Sequence, residues 1–545
     1  MRVDAIYEGG RFATMDPARP RAQRIGVLGG RVVGLDEELD GVGAARTVDL
    51  GGACAVPGFN DAHHHVSMRG RRLRALDLRS HVVTSLDQLY AAVADAAAGL
   101  PRDAWIHASG YDQNLIGAHP LAERLDAVTG GRPIWIEHVS GHMGVANTAA
   151  FARAGFPGRD GVPDVEGGLV VRGADGRPAG LLQERAMPLV RGAFEPLAVA
   201  EIEANIAEAS RVALSEGLTS ATEPGIGTID GLGNSPLDLH AFQRARESGA
   251  LGVRMTLMPY VTALHAFADE DPALRGLDLG LRSGFGDEWL RIGPVKILTD
   301  GSLIGRSAAM TCCYAGEDDN TGFMLFEPQE MAPLLVGAHL AGWQVAAHAI
   351  GDAAIDHVLD VYEQAQRRLP RPDARHRIEH FAVADDRQVA RAAALGVVAV
   401  PQGRFVTELG DGMRTALGPE RAEHCYRMRS LLDAGMVLPG SSDAPVVDGA
   451  PLLGIHDMVN RRTRSGRELA PRERITVEEA LRAYTSGSAY AVHEEHRKGT
   501  LTPGALADFT VLSEDLLAVE PERIADIEVR ATVVGGELAY ERSVG

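Results

Sequence analysis

The sequence predicts an α/β fold in which a parallel β-sheet closes into a barrel and the two ends of the chain form a small β-sandwich beside it. Three observations predict this. Apolar strand-like runs alternate with helical periodicity through the middle of the chain, and that order makes successive strands parallel. Several of these runs end on a histidine, a lysine or an aspartate, and the carboxyl ends of the strands are where parallel barrels collect their chemistry. The termini instead carry short strand-like runs set off by glycine pairs, the pattern of hairpins.

Residues 1–55 supply the first part of the sandwich, in runs starting at Asp4, Arg24 and Thr47. The apolar stretch Ala53-Cys-Ala-Val-Pro-Gly-Phe59 then suits a buried strand and leads into Asn60-Asp-Ala-His63-His64-His65. On an extended strand, side chains two apart share a face, so His63 and His65 point one way and His64 the other. Two imidazoles on one face make half of a metal site. Residues from about 70 to 200 are looser and glycine-rich, and read as an insertion after the first strand. They contain Trp105-Ile-His-Ala-Ser-Gly-Tyr-Asp112, Ser140-Gly-His142 and Gly180-Leu-Leu-Gln-Glu184. Ile202, Ile206, Ala209 and Ala213 recur on one helical face before Gly217, a helix stop, and a strand follows at Leu218.

Lysine occurs only twice among 54 lysines and arginines, and one of the two, Lys296, lies inside Arg291-Ile-Gly-Pro-Val-Lys-Ile-Leu-Thr-Asp300. A chain that uses arginine almost everywhere keeps a lysine where it needs an amine that can lose its proton when buried. Such an amine can form a Schiff base, act as a general base, or combine with CO2 as a carbamate bridging two metal ions. Metal ligands elsewhere favour the last. Three further strand-like runs end on His348, His380 and Asp443. Imidazoles together with a carboxylate suit Zn2+ or a similar divalent ion. His64, His107, His138 and His357 read as core histidines.

The stretches Pro-Gly-Phe-Asn-Asp-Ala-His-His-His, Val-Lys-Ile-Leu-Thr-Asp-Gly-Ser-Leu-Ile-Gly-Arg, His-Ala-Ile-Gly-Asp, Arg-Ile-Glu-His, Gly-Ser-Ser-Asp-Ala-Pro and Gly-Thr-Leu-Thr-Pro-Gly-Ala-Leu-Ala-Asp-Phe occur in that order from residue 56 to residue 509. In these the chain resembles the amidohydrolase superfamily, in its YtcJ-like and N-substituted-formamide-deformylase-like branch. The resemblance implies a distorted (β/α)8 TIM barrel over residues 56–496, with the insertion at about 70–200, and a sandwich formed by residues 1–55 and 497–545.

It also implies roles. His63 and His65 bind one metal, Lys296, if carboxylated, bridges to a second, His348 and His380 complete the second site, and Asp443 touches the first metal while serving as the base. His142 orients the scissile group, and Glu184 and Arg306 shape the substrate cleft. An ion pair joining Glu184 and Arg306, or exposure of both to solvent, is the structural alternative for those two. One metal or two are both open. Tyr111 stands where the branch usually has tryptophan, and Pro401-Gln402 where Gln-Pro is usual; both changes fall in expected pocket walls.

The implied activity is hydrolysis of a C–N amide-type bond in an N-formyl or N-acyl amine. A metal-dependent deaminase or cyclic-amide hydrolase, and a catalytically retired binding or regulatory protein, are the rival readings. The partner expected is a small-molecule substrate, with a homodimer as a family-level expectation. A formal charge of −20 disfavours nucleic acid, which binds through basic patches, and gives no support for anionic membranes. Four cysteines without a Cys-x-x-Cys pair, and a start lacking an apolar secretory core, point to a reduced, cytoplasmic protein. Adjacent Cys312 and Cys313 are expected to be inert.

Overall fold

Eight short strands of mostly small, β-branched and other apolar residues organise the larger part of the chain in the computed structural model, which describes residues 2–79, 82–139, 143–165, 168–228, 233–266, 273–326 and 328–543. They are β1 (Phe59–Asp61), β2 (Leu218–Ile226), β3 (Arg254–Pro259), β4 (Leu290–Ile292), β5 (Val295–Leu298), β6 (Val345–Ala349), β7 (Arg377–His380) and β8 (Val398–Val400). β1 to β4 form one parallel sheet and β5 to β8 another, each in chain order. Helices Asp238–Glu247, Pro328–Leu340, Asp352–Arg368 and Asp386–Ala394 fall between successive strands. Burial of both strand faces is what parallel sheets with helical crossovers require, and β2 is buried along its whole length. The fold is α/β and TIM-barrel-like.

Gly293-Pro294 separates β4 from β5, and proline gives no N–H to a ladder. A parallel bridge between Tyr260 and Lys296 links the end of β3 to β5. At the other edge, the Ala62 N–H donates to the Gly440 carbonyl at 2.9 Å and the Asp443 N–H to the His63 carbonyl at 2.8 Å. The stretch ending at Asp443 was expected to be a strand. It runs beside the end of β1 without regular structure, and Pro439 within it lacks the donor a ladder needs.

The terminal strands lie in two sheets. One contains Arg2–Glu8, Ile25–Leu28, Arg31–Leu35 and Gly43–Asp49; the other contains Arg11–Ala13, Arg21–Ala22, Cys54–Pro57, Phe509–Leu512, Val529–Val534 and Glu537–Glu541. Residues of both sheets, among them Tyr7, Phe12, Ile25, Val27, Phe509 and Val533, share one buried cluster. The stretch Ala53–Phe59, read as a single strand, is divided: Cys54–Pro57 pairs with Phe509–Leu512, and Phe59–Asp61 pairs with β2. Gly58 makes the break, since a Cβ there would stand 2.2 Å from the Thr219 hydroxyl.

Helix Val199–Ser215 buries Ile202, Ile206, Ala209 and Ala213, the stripe its periodicity predicts. It stops before Gly217, which has φ +83° and where a Cβ would meet Thr510 at 2.6 Å. By contacts the chain divides into residues 1–66 with 209–545, and residues 67–208. The second unit holds its own six-stranded sheet, built from Leu76–Asp77, Ile106–Tyr111, Ile134–His138, Met143–Ala146, Pro178–Glu184 and Gly168–Arg172. Among the described residues, no helix is long and apolar enough to cross a membrane.

Candidate metal centre

The ends of β1 and β7 and the segment after Pro439 bring His63, His380 and Asp443 together. One donor atom from each lies within 4.8 Å of the others, and all three residues are buried. Asp443 Oδ1 is 3.4 Å from His63 Nε2 and 3.1 Å from His65 Nε2. His64 turns the other way, to Asp61 and Ser442, as strand alternation requires. His348, from β6, stacks edge-on to His380 with ring centroids 4.5 Å apart, and is the more exposed of the pair.

Lys296 points into this group from β5. It is fully buried, and among the described residues its Nζ has no hydrogen-bond partner. Burial brings its amine down to about 8, against the pull of Glu379 and Asp443 toward the charged form. An unpartnered buried amine costs free energy unless something satisfies it. Its place beside clustered imidazoles and a carboxylate fits a divalent ion, with the amine itself or its CO2 adduct as a further ligand.

The candidate ligands are held by neighbours that fix which nitrogen is available. His63 Nδ1 donates to the Glu379 carboxylate, which can only accept, so Nε2 is left for a metal. Glu379 is gripped by Arg377 through Nε at 2.7 Å and Nη2 at 2.9 Å, with both side chains fully buried. Gln402 donates its amide to Val400 and Ser441 and therefore accepts from His380 Nδ1 at 2.7 Å, again freeing Nε2. Asp300 accepts from the backbone amides of Ala309, Ile350 and Gly351 and lies 3.2 Å from His348 Nε2. Asp61 accepts from the amides of His63 and Ser442 and from the Ser442 hydroxyl.

Electrostatics follow from this packing. Burial pushes the Asp443 carboxyl up, but hydrogen bonds and charge from His63 and His65 outweigh it and hold the group well below the usual carboxylate range. Burial, reinforced by His348, keeps His380 well below the ordinary histidine value, in the neutral form a ligand needs. His380 and Asp443 also adopt left-handed backbone, with φ +71° and +60°, conformations that cost non-glycine residues about 1–3 kcal/mol and gather at functional sites.

Three further residues were expected in the site. Arg306 pairs with Glu317 in its own loop and adopts φ +54°. His142 lies outside the described residues, as does the side chain of Glu184, the last residue of strand Pro178–Glu184. Sequence reasoning missed Glu379, Arg377, Gln402, Asp61 and Asp300. Only the alternation of Arg377 and Glu379 on one face of β7 was a readable signal.

A parallel α/β scaffold with histidines at its strand ends, a buried lysine within a strand and an aspartate on the irregular segment beside them defines a metal-dependent hydrolase of the amidohydrolase type. Residues 46–540 match the Amidohydrolase family, and the chain belongs to it. It is similar to N-substituted formamide deformylase from Arthrobacter pascens, with 29% identity over 99% of each chain. It is also similar to Protein LONG AFTER FAR-RED 3 from Arabidopsis thaliana, with 32% identity over 99% of this chain and 92% of that one. Among solved structures, an uncharacterized metal-dependent hydrolase from Pyrococcus horikoshii OT3 superposes with a TM-score of 0.77 at 25% identity, covering 95% of this chain and 99% of the other.

Proposed function

We propose that this protein hydrolyses a C–N amide-type bond, with N-formyl and N-acyl amines as the first substrates to test. The observation that carries the reading is the gathering of His63, His380 and Asp443 beside the unpartnered Nζ of Lys296. The relative named as a formamide deformylase points to the acyl group. In this reading His63, His65 and Asp443 hold one divalent ion, Zn2+ by donor chemistry. Lys296, if carboxylated, would add a further ligand, and His348 and His380 would hold a second ion. We infer also that the two four-stranded sheets are halves of one distorted (β/α)8 barrel and that the terminal sheets form a sandwich. The Tyr260–Lys296 bridge and the hydrogen bonds from segment 440–443 to β1 support closure.

A divalent ion held there would supply Lewis acidity, lowering the pKa of its water to about 7. Asp443, kept ionised by its histidine neighbours, takes the proton as water attacks the carbonyl carbon and returns it to the leaving amine. Glu379 holds His63, and Gln402 holds His380, so neither imidazole turns during the reaction. By resemblance, His142 donates to the carbonyl oxygen as charge builds there, and Glu184 and Arg306 shape the cleft.

Metal analysis combined with native intact mass tests the centre: two ions per chain and a mass excess of one CO2, lost on denaturation, are expected. A panel of N-formyl, N-acyl, cyclic-amide and amidine substrates tests the reaction. Preference for the amidine would replace this reading with a deaminase. Metal binding without turnover on any of them would leave a retired binding protein.

A further inference from the structure

Nδ1 of His65 is buried and, among the described residues, has no hydrogen-bond partner; the residue is 4% exposed. Facing it is Glu223 of β2, itself buried, with Oε1 3.9 Å away. That is too long for a hydrogen bond. On the other side of the ring, Nε2 stands 3.1 Å from Asp443 Oδ1. The backbone here is pinned on both flanks, because the His64 N–H donates to the Thr222 carbonyl at 2.9 Å and the His65 N–H to the Ala444 carbonyl at 2.8 Å. His63 is built on the same plan and is complete: its Nδ1 already donates to the Glu379 carboxylate, and its Nε2 lies 3.4 Å from the same Asp443 oxygen. Each imidazole thus stands between Asp443 and a second buried carboxylate, and of the two, His65 has its second contact open.

The open contact follows from where the ring carries its proton. A carboxylate can only accept, so His65 donates to Asp443 through Nε2, and a neutral ring then presents a bare lone pair at Nδ1. That lone pair faces an acceptor oxygen of Glu223, and two acceptors stay apart. We propose that Glu223 is the positioning residue of His65, engaged when Nε2 gives up its proton to become a metal ligand. The ring then carries its proton on Nδ1, and this N–H donates to the Glu223 carboxylate. One proton leaves Nε2 for water and one reaches Nδ1 from water, so the ring stays neutral. With both backbones held in place, side-chain rotation alone has to shorten 3.9 Å to the ~2.8 Å of a charge-assisted bond. A metal-bound imidazole ordinarily donates its other N–H to such a partner and binds the ion more weakly without it. His63 is therefore set before an ion arrives, and His65 is set by its arrival. The proposal rests on the metal centre argued above.

The test uses the full-length protein, freed of metal and titrated with Zn2+ against a fluorescent chelator. Glu223→Ala should bind Zn2+ about 10–100-fold more weakly than the parent, and Glu223→Gln, whose amide oxygen still accepts from Nδ1, should lose less. In protein labelled with 15N at histidine, Zn2+ should bring out a downfield imidazole N–H resonance that loaded Glu223→Ala lacks and loaded Glu223→Gln retains. Parent-like Zn2+ affinity in Glu223→Ala would overturn the proposal, most plainly if the metal-free melting temperature falls in that variant, since Glu223 would then be purely structural. So would an N–H resonance that persists in Glu223→Ala. Weakened Zn2+ binding in Glu223→Ala, alongside a parent that cleaves no C–N substrate, supports the role of Glu223 and removes the hydrolytic reading. A parent that takes up no Zn2+ would sink both.

Discussion

Lys296 and Lys498 are both buried, yet their company is opposite. Around Lys296 stand the carboxylates of Glu379 and Asp443 and a group of imidazoles. Around Lys498 stand Arg254, Arg291 and Arg497, with the nearby carboxylates already taken. Carboxylates and imidazoles outnumber Arg377 around the first, and arginines outnumber Asp508 around the second. The same side chain thus meets different chemistry at the two ends of the strands. The charges of its neighbours decide which, and burial alone does not.

The largest expected effect lies at the Lys296 end. Asp443→Asn should lower turnover by about 10^3-fold or more, since general acid–base catalysis contributes up to about 10^4, while circular dichroism reports an intact fold. Full activity in that variant would remove Asp443 from the base role. Chelation should abolish turnover and lower the melting temperature, because an ion bound only to the native state stabilises it; Zn2+ or Mn2+ should restore both. Glu379→Gln should weaken metal binding by about 10–100-fold, the usual effect of losing a ligand's hydrogen-bond partner, as measured by competition with a fluorescent chelator.

The far end should respond in stability and not in turnover. His376 accepts from the Val345 amide at 3.1 Å and meets His339 Nδ1 at 2.8 Å, while His339 Nε2 reaches the Leu369 carbonyl at 2.7 Å. Burial, with charge from His339, Arg371 and His493, holds His376 well below its ordinary value. Below pH 6.5 the unfolded chain therefore binds a proton that the folded chain refuses, and stability falls as pH drops. Melting temperatures from pH 7 to pH 5 should show this decline, and His376→Gln should flatten it. The smallest effect is expected from Lys498→Arg, with turnover within about twofold of the parent, the range of a surface-like change in binding energy. A loss comparable to that in Glu379→Gln would erase the contrast between the two ends.

Much of this was legible in the sequence where a strand's apolar run stops at a polar residue, as at His63, His348 and His380. Two-residue alternation also separated His64 from its neighbours. Charged partners were legible only as the two-residue alternation of Arg377 and Glu379. Arg377 and Glu379 read as ordinary polar residues of a strand end, and only the fold shows that each is fully buried and that their pair clamps His63. The division of Ala53–Phe59 was hidden for a similar reason, because the close approach of Thr219 to Gly58 is a long-range fact. The irregular backbone before Asp443 was foreshadowed by Pro439, whose missing donor carries more weight than the apolar residues around it.

Asp61 and Ser442 are 381 positions apart, and the hydroxyl of one meets the carboxylate of the other at 2.5 Å. A nascent chain therefore cannot assemble the pocket until Asp443 has left the ribosome. Ion capture would come late in biogenesis, after the scaffold has closed, and a prematurely terminated product would carry the early histidines with nothing to hold them in place.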